Sequence, residues 1–234
     1  MKKKALFLNL LKRIKLLKSN NASIIKSLYY NYRYLPSKQA IFLPLIVSKN
    51  AKIIGKGTIN IPTQIELKNV KIYVGCQALR WNVEKDTVIV CEGRLDIQGE
   101  NIFIGSGSKI EIAKDAIMIL KNKFNITGNC KIICEKTISF GEDNLISWDT
   151  LIMDTDAHTI KSEKAQKSGV HFGNHIWLAA NTNILPGTIL MDNIVVGCGA
   201  VVKGKYEESN CILAGIPARV IKKNISWNIE KPKG

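Results

Sequence analysis

The sequence has no acidic residue before Glu66, although thirteen Lys and Arg precede it and account for most of the formal net charge of +15. This is a basic arm on a nearly neutral body. Such an arm attracts a polyanion, whether an anionic membrane surface, a charged glycan or nucleic acid, and charge alone sets only that class. Aromatics are scarce at 7%, while Ile and Val recur and Gly numbers 17, a balance that favours short strands and turns over long helices. No apolar run reaches the roughly 18 residues that a membrane-spanning helix requires. The six cysteines form no C-x-x-C pair and are too dilute for a disulfide-built miniprotein, so reduced thiols in the cytosol are expected. With 234 residues, 46% hydrophobic and 23% charged, extensive disorder is excluded, and one large domain or two small ones are expected.

Within the arm, residues 3–18 have the pattern of an amphipathic helix: Leu6, Leu10, Ile14 and Leu17 follow three-to-four spacing, with Lys3, Lys12, Lys15 and Lys18 elsewhere. Lys12, Arg13 and Lys15 interrupt the apolar stretch and no small-residue cleavage site follows, which argues against a secretory signal. Two fates suit this helix. It docks its stripe on the body or a neighbouring subunit, or it lies on a membrane; nucleic acid fits less well and is not expected. The cluster Tyr29, Tyr30, Tyr32 and Tyr34 then leads to Pro36 and Pro44, where a change of element is expected.

Beyond the arm a six-residue repeat appears. Phe172, Leu178, Ile184, Leu190, Val196 and Val202 stand six apart without a slip, and Thr182, Thr188, Ile194 and Ala200 fall four residues after the second to fifth of them. Fainter runs start at Val47, Ile104, Ile126 and Phe140, with shifts of register that imply loops or irregular corners. Six residues advance about 600° around a helix, which scatters the apolar set. A continuous strand of period two would turn every second residue to the apolar face, whereas the pattern selects only every sixth. The period suits a solenoid in which each short strand points one large side chain inward and then turns. Glycines in Ile104-Gly105, Phe140-Gly141 and Val196-Gly197 are expected where the backbone turns sharply. Arm and tail are expected to cover the two ends of the stack.

The stretch from His175 through Ile-Trp-Leu-Ala-Ala-Asn-Thr-Asn-Ile-Leu-Pro-Gly-Thr, then Asp-Asn-Ile-Val-Val-Gly-Cys-Gly-Ala-Val-Val, then Ala214-Gly-Ile-Pro-Ala-Arg-Val-Ile resembles the C-terminal half of the hexapeptide-repeat acyltransferases. The match is specific over about 138–223, compatible over 45–137, and leaves 1–44 outside the common core. The resemblance implies a left-handed parallel β-helix, a hand that spacing alone does not supply and that the crossover rule would have reversed. The expected organisation is therefore a basic helical arm over 1–44, the β-helix over 45–223 with an extruded loop near 154–170, and a tail over 224–234 that carries Trp227.

The repeat breaks conspicuously at Asp154-Thr-Asp-Ala-His158 and the lysine-rich stretch that follows, and a polar excursion from a repeating body is where functional groups concentrate. In the family such a loop carries a histidine general base, and His158 matches it. Imidazole titrates near neutrality, so it takes a proton from the acceptor and later returns one to the leaving thiolate. Asp156 or Asp154 would hold the ring, with a slight preference for Asp156. His171 and His175 fall at turn-like positions that suit structural roles. A related branch of left-handed β-helices binds zinc through three histidines and hydrates carbon dioxide, but spacings of 13 and 4 among the three histidines make a poor ligand set, and no metal is expected.

The resemblance also implies an acetyl-CoA donor lying along a groove between adjacent β-helices. Ala180 and Cys198 match backbone contacts to its pantetheine arm, one amide being able to stabilise the oxyanion; Lys203 and Gly204 match further donor contacts; Arg219 and Lys222 match basic positions near the nucleotide phosphates. Cys198 is read as an inert thiol because the family transfers the acyl group directly. Trp177 matches an aromatic beside the acceptor pocket; Trp148 is left unassigned. The Asp-Thr-Asp-Ala-His loop, the Tyr-rich passage into Leu35-Pro36 and the basic arm are most similar to bacterial surface-polysaccharide acyltransferases. O-acetylation of a surface glycan or its precursor is the first expectation, in a cytoplasmic homotrimer at the inner face of the membrane. N-acetylation of an amino-sugar nucleotide is second, and a non-catalytic glycan-binding β-helix third.

Overall fold

The computed structural model describes residues 11–18, 20, 22–62, 64–78, 86–158 and 168–229. Every residue of the clear hexapeptide run, from Phe172 to Val202, is buried, and so are Thr182, Thr188, Ile194 and Ala200 at the corners between them. The six-residue period becomes one side of a triangle, and three sides make a coil. Leu178 pairs with Val196, eighteen residues on, in the next coil. Twenty-three short strands arise in this way among the described residues. They form three sheets: sheet I has nine strands, and sheets II and III have seven each.

Pairing between coils is parallel throughout the stack, so like side chains pile on like. On sheet II the inward ladder runs Ile53, Ile89, Ile110, Ile132, Ile152, Ile184 and Val202. β-Branched side chains suit such a ladder because their restricted rotamers fit the pleated surface. Each removes on the order of 1.5–3 kcal/mol of apolar exposure when fully buried. On sheet III Phe140 stacks on Phe172 at 4.6 Å and 6°, and Phe124 from sheet I tilts against Phe140 at 4.7 Å.

The corners correct one expectation. Gly105, Gly141 and Gly197, expected where the backbone turns sharply, do not have the positive φ for which glycine is needed. They are small because the neighbouring coil passes too close: a Cβ on Gly105 would stand 2.3 Å from the Thr127 carbonyl oxygen, and one on Gly141 2.4 Å from that of Gly173. Sharp turning falls instead on residues such as Lys123, Asp143, His175, Asn193 and Asn210, which stack at the corner between sheets III and I with φ of 56–58°. Asn and Asp tolerate that region because their side chains bond nearby backbone.

The first coil consists of β1 (Leu45–Val47), β2 (Ala51–Ile54) and β3 (Thr58–Asn60). Its outer edge would leave strand groups unpaired. Three helical segments precede it: α1 (11–18), α2 (Ile24–Tyr34) and α3 (Ser37–Ala40). Side chains from α2 and α3 cover the edge. Asn31 bonds both backbone groups of Leu45, Ser27 Oγ accepts from Val47 N–H, Tyr34 reaches the Ile53 and Gly55 carbonyls, and Gln39 donates to Ile61. α1 lies against sheet I, where Leu17 is buried with Ala22, Ile46 and Cys76. Arg13 donates to the carbonyls of Leu67, Lys68 and Val70 at 3.3, 2.8 and 2.7 Å. Burial there lowers the guanidinium pKa, and these carbonyls replace the water lost at Nη2. The described part of the predicted amphipathic helix is therefore docked on the body; Lys3, Leu6 and Leu10 lie outside the described residues.

At the far end, Cys211–Gly215 pairs antiparallel with Ala218–Lys223 and closes sheet I. The tail then runs back along that sheet: Ile225 N–H bonds the Asn210 carbonyl, and the Asn193 amide bonds the Ile225 carbonyl.

Candidate active site

The corner between sheets II and III is interrupted between the strands Leu151–Met153 and Val170–Phe172, where residues 154–158 and 168–169 are described. The neck of this excursion is closed by Ser168 N–H bonding the Asp154 carbonyl at 3.1 Å. The Asp154 side chain is fully buried beneath the neck. Oδ1 accepts from Glu135 N–H at 2.7 Å, and Oδ2 accepts from Lys136 and Thr137 N–H at 2.9 and 2.7 Å. A carboxylate with three charge-assisted bonds to one backbone turn is a structural clamp. Asp154 was one of two carboxylates expected to orient His158; it is committed to the turn at 135–137 instead, because a buried anion takes the donors that replace its hydration.

His158 is exposed at the start of the excursion. Its N–H bonds the Asp156 carbonyl at 2.6 Å, and Ala157 N–H bonds Thr155 Oγ1 at 3.0 Å, a tight turn that projects the imidazole outward. Thr155 Oγ1 in turn donates to Glu135. Among the described residues no side chain bonds the His158 ring. Asp156 is exposed and adjacent, whereas residues 159–167 lie outside the described residues.

Lys203 and Gly204 occupy the same corner as the excursion, two coils further on; Gly204 has φ of 98° and open space around its missing Cβ. Ala180 and Cys198 stack one coil apart at a different corner, between sheets I and II, where Gly199 N–H bonds the Ala180 carbonyl. Cys198 is the exposed thiol; the other five are buried. Burial pushes Cys130 and Cys134 up to about 12 and Cys76 and Cys91 up to about 11, with Asp154 adding to the rise at Cys134. Such thiols are poor nucleophiles at neutral pH. Arg219 and Lys222 are exposed on the last strand, and Arg219 Nη1 donates to the neighbouring Ala218 carbonyl. Within one chain, then, His158 and the Ala180–Cys198 corner stand at different edges of the prism.

Trp177 points out of sheet I, its Nε1 donating to Ser147 Oγ at 3.2 Å. Beside it, His175 and Trp227 form a cluster with Asp143. His175 Nδ1 lies 2.7 Å from Asp143 Oδ2, its Nε2 lies 3.0 Å from the Trp227 carbonyl, and its ring stacks on the Trp227 indole at 4.0 Å. Trp227 Nε1 returns a bond to the His175 carbonyl and its ring sits 5.8 Å from Trp177. This cluster fastens the tail beside Trp177. The signal was present in the shared left-handed corner of Asp143 and His175, but the loop insertion between them hides their one-coil separation. His171 bonds Ser139 Oγ at 2.7 Å on sheet III. Among the described residues no three His, Cys, Asp or Glu side chains group as metal ligands.

No family profile matches the chain. It is 32% identical over 232 residues to an uncharacterized 24.8 kDa protein in the cps region of Klebsiella pneumoniae, covering 95% of this chain and 99% of that one. It is 28% identical over 138 residues to a candidate lipopolysaccharide-biosynthesis O-acetyltransferase of Escherichia coli K12, covering 53% and 70% respectively. A solved polysialic acid O-acetyltransferase superposes with a TM-score of 0.54 at 25% identity over 77% of this chain and 92% of that chain. That likeness fixes the hand of the solenoid as left. The coil geometry and these relatives agree: the chain belongs to the hexapeptide-repeat, left-handed β-helix acyltransferases and is an acetyl-transferring enzyme.

Proposed function

We propose that this enzyme transfers the acetyl group of acetyl-CoA to a sugar hydroxyl of a bacterial surface polysaccharide or its precursor. The observation that carries the reading is the clamped neck at Asp154, beside which His158 stands exposed in a tight turn at an edge of the stack. The reaction needs a base at the acceptor oxygen. His158 takes the hydroxyl proton as that oxygen attacks the thioester carbonyl; the tetrahedral intermediate collapses with loss of the C–S bond, and the imidazolium returns the proton to the CoA thiolate. Asp156, exposed next to His158, is the carboxylate proposed to orient the ring once substrate is bound, since Asp154 is committed to the turn at 135–137. A backbone amide at Ala180 or Cys198 faces the developing oxyanion, Lys203 and Gly204 flank the donor, and Arg219 and Lys222 meet its phosphates. Trp177 offers a ring face to the sugar.

The separation of His158 from the Ala180–Cys198 corner within one chain supports a homotrimer, in which the histidine loop of one subunit meets the donor groove of the next. The six free thiols suit a reducing cytoplasm, and among the described residues no helix is long and apolar enough to cross a membrane. The protein works at the inner face of the membrane through its basic N-terminal region. The test is twofold. Purified protein should release CoA thiol only when a suitable glycan is added, and mass spectrometry of surface glycans should lose one acetyl mass when the gene is deleted. Unchanged glycans, with no acceptor-dependent thiol release, would overturn the reading.

A further inference from the structure

α2 is amphipathic in the reverse of the usual sense. Its inward face is Ser27, Tyr30 and Asn31, since polar side chains are what the unpaired edge of β1 needs. Its outward face is apolar: Ile25 is 81% exposed, Tyr29 60%, Tyr32 54% and Leu28 41%. These positions follow three-to-four spacing, so they form one stripe. Leu11 and Ile41 are also exposed at this end of the stack. A contiguous exposed apolar patch of this kind marks an interaction surface.

The charge around the stripe selects the partner. No acidic residue lies within the first 65 positions, while Lys12, Lys15, Lys18, Arg33 and Lys38 are exposed on α1, α2 and α3. A second copy of this end would set cation against cation. A nucleic acid would use the cations and leave the aliphatic stripe in water. A bilayer leaflet rich in anionic lipid satisfies both halves: Ile25 and Leu28 enter the acyl boundary, Tyr29 and Tyr32 sit at headgroup level, and the cations meet lipid phosphates. We infer that α2 is a peripheral membrane-docking element and that its partner is the surface of an anionic bilayer. This sharpens the membrane reading above, naming α2 and not the docked α1, and it is independent of the acetyl-transfer chemistry.

Vesicle flotation tests it with the full chain and no substrate. Phosphatidylcholine vesicles containing phosphatidylglycerol should retain the protein at least about tenfold better than phosphatidylcholine alone, and added salt should weaken that retention. The double variant Ile25→Asp, Tyr29→Asp should lose at least about tenfold of the binding. It should keep the wild-type melting midpoint, because both side chains already face water; the milder Ile25→Ser, Tyr32→Ser pair repeats the test should the first fold poorly. Three results would overturn the inference: wild-type protein that floats with neither vesicle, variants that bind as well as wild type, or variants whose change appears in light scattering as an altered oligomer, which would make the stripe a subunit contact. Acetyl transfer measured on a soluble acceptor should be the same in variant and wild type.

Discussion

Removing the Asp154 carboxylate separates a structural clamp from a catalytic group. Its oxygens accept three N–H bonds at 2.7–2.9 Å from consecutive residues 135–137, from a position with no solvent exposure. Bonds to a charged acceptor are each worth about 1.5–3 kcal/mol net, so three would give roughly 4.5–9 kcal/mol. Burying the anion offsets part of this, and the freed amides at the half-open turn regain some water. A net loss of about 3–5 kcal/mol for Asp154→Ala follows. In a chain of this length that lowers the melting midpoint by about 6–20 °C. Asp154→Asn keeps one carbonyl oxygen for Lys136 and Thr137 but turns its NH2 toward Glu135 N–H, so it should fall between Ala and wild type. Calorimetry reads the midpoint, and amide hydrogen exchange at 135–137 reads the clamp itself, with protection falling in the order wild type, Asn, Ala. If Asp154→Ala melts within about 0.5 kcal/mol of wild type and those amides stay protected, the clamp is wrong.

His158→Ala should cost at least about two to three powers of ten in acetyl transfer while leaving the melting midpoint and acetyl-CoA binding in place, measured by thiol release and calorimetry; near-normal turnover would reject it as the base. Arg219→Ala should weaken the donor by about 1–3 kcal/mol and matter less for a pantetheine fragment without nucleotide phosphates, and equal losses for both would make Arg219 structural. Mixing His158→Ala subunits with Arg219→Ala subunits should restore a minority of wild-type activity in a trimer, whereas verified subunit exchange with no recovery refutes a shared site. Iodoacetamide should label Cys198 alone in the native protein. In alkali the buried thiols ionise near 9 when unfolded but only near 11 or 12 when folded, so the unfolded chain loses protons first and stability should decline as pH climbs through that window; an alkaline-flat melting curve would contradict it.

What the sequence by itself determined is the solenoid. Apolar residues six apart exclude both a helix stripe and a flat strand, so Phe172 through Val202 could be placed inside before any coordinate was known, and the break after Asp154 marked where the stack opens. The arm's lack of acid was equally plain. Periodicity is a local property of the chain, and local properties survive in one dimension. What only the tertiary structure decided are relations between residues that the coils bring together. Gly105 looked like a turn glycine but is small because the Thr127 carbonyl passes over it. Asp154 looked like a partner for His158 but finds three amides one coil back. His175 reads as a turn residue with a structural role, but only the fold shows its partners, Asp143 and Trp227, 32 residues before it and 52 after. The outward face of α2 carries the same lesson. The sequence shows only a tyrosine cluster there; the bare edge of β1 claims Ser27 and Asn31, because an unpaired strand edge needs hydrogen bonds more than it needs methyl groups, and the apolar stripe is left facing out.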